Sequence, residues 1–178
     1  MIFKKTKIRG VYLIKTQPAR DRRGFFSRIF CQREFKKQGL SFKVVQSNFS
    51  YNKKRGTLRG MHYQIPPHEE IKLVSCLQGK IYDVVIDLRP ISPTYLQWIA
   101  VELSAKNNKM LYIPKGLAHG FQILDDNTLV FYQMSEFYHP QSARGICWDD
   151  PQFKINWPIK KTIISSKDRS YKFLKTKK

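Results

Sequence analysis

Residues 72–88 read KLVSCLQGKIYDVVIDL. Two apolar runs rich in β-branched residues, Lys72–Leu77 and Ile81–Leu88, flank the tight turn Gln78-Gly79-Lys80, the pattern of a β-hairpin. Strand side chains alternate, so Lys72, Val74 and Cys76 share one face, and a lysine stands in register with core residues. The preceding stretch, TLRGMHYQIPPHEEIK (57–72), sets Arg59, His62 and Lys72 at or beside strand positions. A base and a cation on rigid strands can move a proton next to a carbonyl.

The same texture extends in both directions. Strands are expected at Gly10–Ile14, Phe25–Phe30, Phe42–Tyr51, Tyr95–Leu103, Met110–Ile113, Gly120–Leu124, Thr128–Ser135 and Gly145–Trp148, with turns between them. Pro18–Gly24 reads as a turn-rich loop carrying three arginines. Gln32–Gly39 reads as one short helix stopped by its glycine. On Thr128–Ser135, Thr128, Val130, Tyr132 and Met134 face one way. Many short strands without βαβ alternation or an internal repeat indicate a single all-β domain over residues 1–178, a sandwich or barrel, with a basic tail from about residue 169.

The chain has 178 residues and a formal charge of +20. Residues 1–60 carry +15, residues 61–150 carry −3 and residues 151–178 carry +8. Such a balance attracts polyanions: nucleic acid, an anionic membrane or a phosphorylated small molecule. No apolar run nears the roughly 20 residues that span a bilayer, and the opening MIFKKTKIRG has no apolar signal core. Cys31, Cys76 and Cys147 show no metal-site or disulfide spacing, which points to a reducing cytoplasm.

His119, in IPKGLAHGF (113–121), enters a strand after a Pro-x-Gly turn, an arrangement that resembles the second motif of cupin jelly rolls. The first cupin motif needs His-x-His and a glutamate, and His62-Tyr63-Gln64 lacks a ligand. A metal-free barrel is therefore expected, with His62 released to act as a general base. Arg23 and Arg59 each precede a glycine, where a guanidinium can take phosphate bidentately.

Taken in order, RDRRGFF, QSNFS, LRGMHYQ, KLVSCLQGKIYDVVIDLR, SPTYLQW, IPKGLAHGF, FYQMSEFYHP, WDDP, INWP and SSKD resemble the dTDP-4-dehydrorhamnose 3,5-epimerase family from about Arg20 to Asp168. The resemblance implies a cupin-type jelly-roll barrel with short flanking helices, working as a homodimer without cofactor on a nucleotide-linked 4-keto-6-deoxyhexose. It gives His62 the role of base, Asp168 that of its orienting carboxylate, Tyr132 that of the proton donor on the opposite face, and Lys72 that of enolate stabiliser. Arg23, Gln46, Asn48, Arg59, His119 and Lys167 would hold the diphosphate and sugar, and Tyr138 would stack on the base. Two positions depart from the family pattern, where Arg28 and Ala143 stand for glutamates. They leave open a CDP- or GDP-linked sugar or inversion at one carbon only. A basic cupin that binds a polyanion without catalysis is the non-enzymatic alternative; neither a membrane nor a specific nucleic-acid partner is expected.

Overall fold

The computed structural model describes residues 1–175. In chain order its elements are β1 (Ile2–Lys5), β2 (Tyr12–Lys15), β3 (Ala19–Asp21), β4 (Gly24–Phe26), α1 (Gln32–Lys37), β5 (Gln46–Asn52), β6 (Thr57–Gln64) and β7 (Lys72–Gln78). There follow β8 (Lys80–Asp87), β9 (Trp98–Ser104), β10 (Lys109–Ile113), β11 (Leu117–Ile123), β12 (Thr128–Met134), β13 (Ala143–Gly145), β14 (Ile163–Ile164) and α2 (Ser166–Arg169).

One sheet runs β1-β2-β10-β7-β12-β5 and the other β13-β6-β11-β8-β9, with β14 added parallel to β6. From β5 to β12 the chain steps back and forth between the two sheets, except that β8 and β9 are consecutive neighbours in one of them, and this is the topology of a jelly roll, as the family resemblance implies. The expected hairpin does not form. Both edges of β7 are taken by β10 and β12, and both edges of β8 by β11 and β9. Gln78-Gly79-Lys80 is instead a corner at which the chain leaves one sheet for the other. Two strands buried on both faces satisfy the pattern of a hairpin and of a crossed pair equally well.

Alternation sorts side chains into three apolar clusters. Val74, Cys76, Ile81, Val85, Leu111, Phe121 and Val130 fill the space between the sheets. Val84 and Ile86, one residue out of phase with Val85, face outward and are covered by Ile146, Phe153 and Trp157 from the closing segment. Leu73, Ile14 and Tyr112 face outward on the first sheet and meet Phe35, Leu40 and Phe42. Helix α1 supplies Phe35 to this cluster. Its Glu34 in the first turn and Lys36 and Lys37 in the last suit the helix dipole.

Some expected strands are shorter. Phe25–Phe30 is extended only to Phe26, because Phe30 turns in to pack on Phe35 and Phe42. Phe42–Tyr51 begins at Gln46 for the same reason, Phe42 belonging to the cluster under α1. Pro18–Gly24 is part of the exposed β3–β4 hairpin rather than a loop. Gly145–Trp148 is strand only at its start, since Trp148 leaves to join the outer cluster. No helix among the described residues is long and apolar enough to cross a membrane.

Candidate active site

A cavity of about 550 Å³ opens between the two sheets. Strand β6 brings Arg59 and His62 into it, and β11 brings His119. The opposite sheet supplies Lys72 from β7 and Tyr132 from β12. Tyr132 pairs with Val74, and Met134 with Lys72, so the lysine sits one diagonal step from the phenol on the same face.

Arg59 and His62 are three residues apart, a spacing that strict alternation would send to opposite faces. A bulge resolves this. His62 pairs with His119 and Arg59 with Phe121, so β6 spends one more residue than β11 across the gap. Gly60 lies at the bulge with φ +127°, and a Cβ there would fall 2.5 Å from the Gly120 Cα. The glycines of LRGMH and AHGF are packed back to back, which is why both motifs need one.

His62 Nε2 lies 2.7 Å from Asp168 Oδ1, while the Gly60 amide donates to Oδ2 at 3.2 Å. Asp168 is presented by α2, where its own amide donates to the side chain of Ser165, the N-cap residue. Burial works to raise the Asp168 carboxyl. The hydrogen bond and charge of His62, the Gly60 amide and Arg59 outweigh it and hold the group below its ordinary range. Asp168 is thus an anion that orients His62 through Nε2 and leaves Nδ1 for other work. Burial raises the Tyr132 phenol, against the opposing charge of Arg59, so it keeps its proton and can donate it.

Two further partners support these groups. Lys72 Nζ is 2.9 Å from Glu70 Oε1, and both side chains are nearly buried. His119 Nε2 is hydrogen-bonded to Asp83, a fully buried carboxylate on β8. Among the described residues, the charged lining consists of Arg59, Lys72, Arg144 and Lys167 against the single carboxylate of Glu70, a surplus suited to an anionic ligand.

Among the residues expected from sequence, His62, Lys72, Tyr132, Gln46, Arg59, His119, Tyr138 and Lys167 line this one cavity, with Asp168 behind His62. Asn48 stands just behind the lining, accepting a hydrogen bond from Gln46 at 3.0 Å. Arg23 is elsewhere: it lies on the exposed β3–β4 hairpin, paired with Asp21 at 2.6 Å. Of the two departures from the family pattern, Arg28 points to Glu34 at 3.1 Å, whereas Ala143 lines the cavity. The sequence reading missed Glu70, Asp83, Arg144 and Tyr171. Tyr171 lies in the stretch read as a basic tail. Its ring meets His62 edge-on at 5.8 Å, and Leu174 is packed in the outer cluster, so the tail is docked through the described residues.

The interior of this jelly roll holds an imidazole–carboxylate pair at one sheet and a protonated phenol with a lysine on the other, a set that can take a proton from a bound molecule and return one. The comparisons with known proteins agree. The family model for dTDP-4-dehydrorhamnose 3,5-epimerase matches residues 5–176, and the chain belongs to that family. It is 42% identical to the dTDP-4-dehydrorhamnose 3,5-epimerase of Methanothermobacter thermautotrophicus over 97% of this chain and 94% of the relative. The crystal structure of the Bacillus anthracis dTDP-4-dehydrorhamnose 3,5-epimerase with TDP and PPi bound superposes with a TM-score of 0.95, at 38% identity, over 97% of this chain and 99% of that one. The Legionella pneumophila dTDP-6-deoxy-D-glucose-3,5-epimerase in complex with dTDP-4-keto-L-rhamnose gives 0.92, at 38% identity, over 97% and 92%.

Proposed function

We propose that this protein inverts C3 and C5 of a dTDP-linked 4-keto-6-deoxyhexose. The C4 ketone acidifies the hydrogens on both neighbouring carbons. His62, oriented by Asp168, takes one of them. The electrons move onto the ketone oxygen, where the Lys72 ammonium stabilises the enolate as its charge develops. Tyr132 returns a proton to the other face, and the centre is inverted. Arg59, Gln46, His119 and Lys167 hold the sugar and diphosphate, Asn48 steadies Gln46, and Tyr138 stacks on the nucleotide base at the cavity mouth. The observation that carries this reading is that His62 and Tyr132 come from opposite sheets and line the same cavity.

The unit at work is a homodimer. Strand β5 is a sheet edge with Phe49 and Tyr51 exposed, and the β3–β4 hairpin exposes Phe25 and Phe26. An uncovered edge strand beside exposed aromatics is a surface for a second copy. In that dimer Arg23 serves the neighbouring copy's cavity, which accounts for its distance from its own. Three free thiols fit a cytoplasmic enzyme.

The test is proton NMR of dTDP-4-keto-6-deoxyglucose in deuterated water. Deuterium entering C3 and C5, and lost in His62→Ala, is the expected result; no exchange with the wild-type protein overturns the reading.

A further inference from the structure

His68, Glu136 and His139 have no part in the chemistry above. None of them lines the cavity. One donor atom from each nevertheless lies within 4.8 Å of the other two. His68 is in the turn between β6 and β7, and Glu136 and His139 are in the turn after β12, so the cluster joins loops from opposite sheets. The two imidazoles are stacked with centroids 3.5 Å apart and planes at 17°. His139 Nε2 stands 3.7 Å from Glu136 Oε1. All three residues are half-buried.

The placement of these loops does not depend on the rings themselves. Gln64, buried at the end of β6, donates from Nε2 to the carbonyls of His68 at 2.8 Å and Phe137 at 3.1 Å. Its Oε1 accepts from the His139 amide at 2.6 Å. One side chain therefore ties both loops together through their main chains. The Phe137 amide donates to Glu136 Oε1 at 2.9 Å and holds the carboxylate beside the histidines.

We infer that His68, His139 and Glu136 form a binding site for a divalent transition-metal ion, a clamp between two loops at the mouth of the reaction cavity. Two imidazole nitrogens and one carboxylate select the zinc, copper, nickel and cobalt group over magnesium or calcium. Bonds of about 2.0–2.2 Å place tetrahedral donors roughly 3.4 Å apart. Binding requires the two imidazoles to leave their near-parallel stacking, 3.5 Å apart at 17°, so that one nitrogen of each turns toward the carboxylate. A fourth position stays open to water. The clamp would steady Tyr138, which lies between Glu136 and His139 and whose amide donates to Gln46 Oε1 at 3.1 Å.

The full chain, stripped with chelator, is titrated with Co²⁺ while visible d–d absorption is followed, and with Zn²⁺ and Mg²⁺ by calorimetry. One equivalent of Co²⁺ and Zn²⁺ should bind, with no response to Mg²⁺. His68→Ala, His139→Ala and Glu136→Gln should each weaken binding about tenfold or more, with melting curves confirming that each variant is folded. His62→Ala should leave the affinity and stoichiometry unchanged. Absence of Co²⁺ and Zn²⁺ binding, binding indifferent to His68→Ala and Glu136→Gln, or binding lost in His62→Ala overturns the proposal.

Discussion

Replacing Asp168 by asparagine probes how the site controls a proton without disturbing its shape. The two carboxylate oxygens of Asp168 are engaged separately, Oδ1 facing His62 Nε2 at 2.7 Å and Oδ2 accepting from the Gly60 amide at 3.2 Å. An asparagine offers one acceptor and one donor. The Gly60 amide can only donate, so the asparagine oxygen remains there and the NH₂ turns to His62. Nε2 must then accept, the ring proton moves to Nδ1, and the nitrogen needed as base is blocked. The opposite orientation restores the base but sets two donors face to face at a buried position, at a cost of about 1–3 kcal/mol. Loss of the charge-assisted bond to the imidazolium formed during turnover adds about 1.5–3 kcal/mol. Together these come to about 3–5 kcal/mol, a fall in kcat of roughly 10²–10⁴-fold, with KM little changed because Asp168 stands behind His62 and not in the lining. Steady-state rates of substrate epimerisation for wild type and Asp168→Asn provide the measurement. A variant within about threefold of wild-type kcat, with a native melting curve, would refute the assignment of Asp168 as the orienting group.

Two other outcomes follow from the packing and charge of the fold. Gly60→Ala combines a positive φ with a Cβ placed against the Gly120 backbone, where no flexible side chain can give way. It should lower stability by about 2–5 kcal/mol in urea unfolding, from local strain and overpacking, and an unchanged midpoint would contradict the bulge. Asp87 is fully buried and accepts from Arg89, Ser92 and Thr94, which overcome the opposing effect of burial and bring its pKa down to about 2. Because the folded value is depressed, its contribution is complete above about pH 4, falls as pH drops toward about 2, and amounts to about 2 kcal/mol. Asp87→Asn should be less stable at pH 7 than wild type, and the gap should narrow in acid. A gap that stays constant from pH 7 to pH 2.5 would count against a depressed carboxylate at this position.

Much of this architecture can be read from residue order, because alternation announces which side chains share a face. Lys72, Val74 and Cys76 on β7, and Val130, Tyr132 and Met134 on β12, look inward as their spacing says. Alternation carries no information on which strand lies alongside. The β7–β8 pair therefore reads as a hairpin, although its members lie in different sheets. The site was legible where groups sit in compact motifs, as with His62 and His119. It was hidden where the partner is distant and chemically ordinary: Asp83 beneath His119, or Tyr171 against His62. The shared inward direction of Arg59 and His62 depends on a bulge that no local periodicity marks. The closing stretch lacks periodicity because it coats the outer face of a sheet with isolated anchors, among them Phe153, Trp157 and Leu174.

That His62 and Tyr132 act on opposite faces of one sugar ring is the central claim, and Tyr132→Phe in deuterated water examines it most directly. With the phenol hydroxyl gone, His62 should still exchange the ring hydrogens with solvent while inversion collapses, so that labelled substrate of unchanged configuration accumulates. Inverted product forming at the wild-type rate in Tyr132→Phe would contradict it.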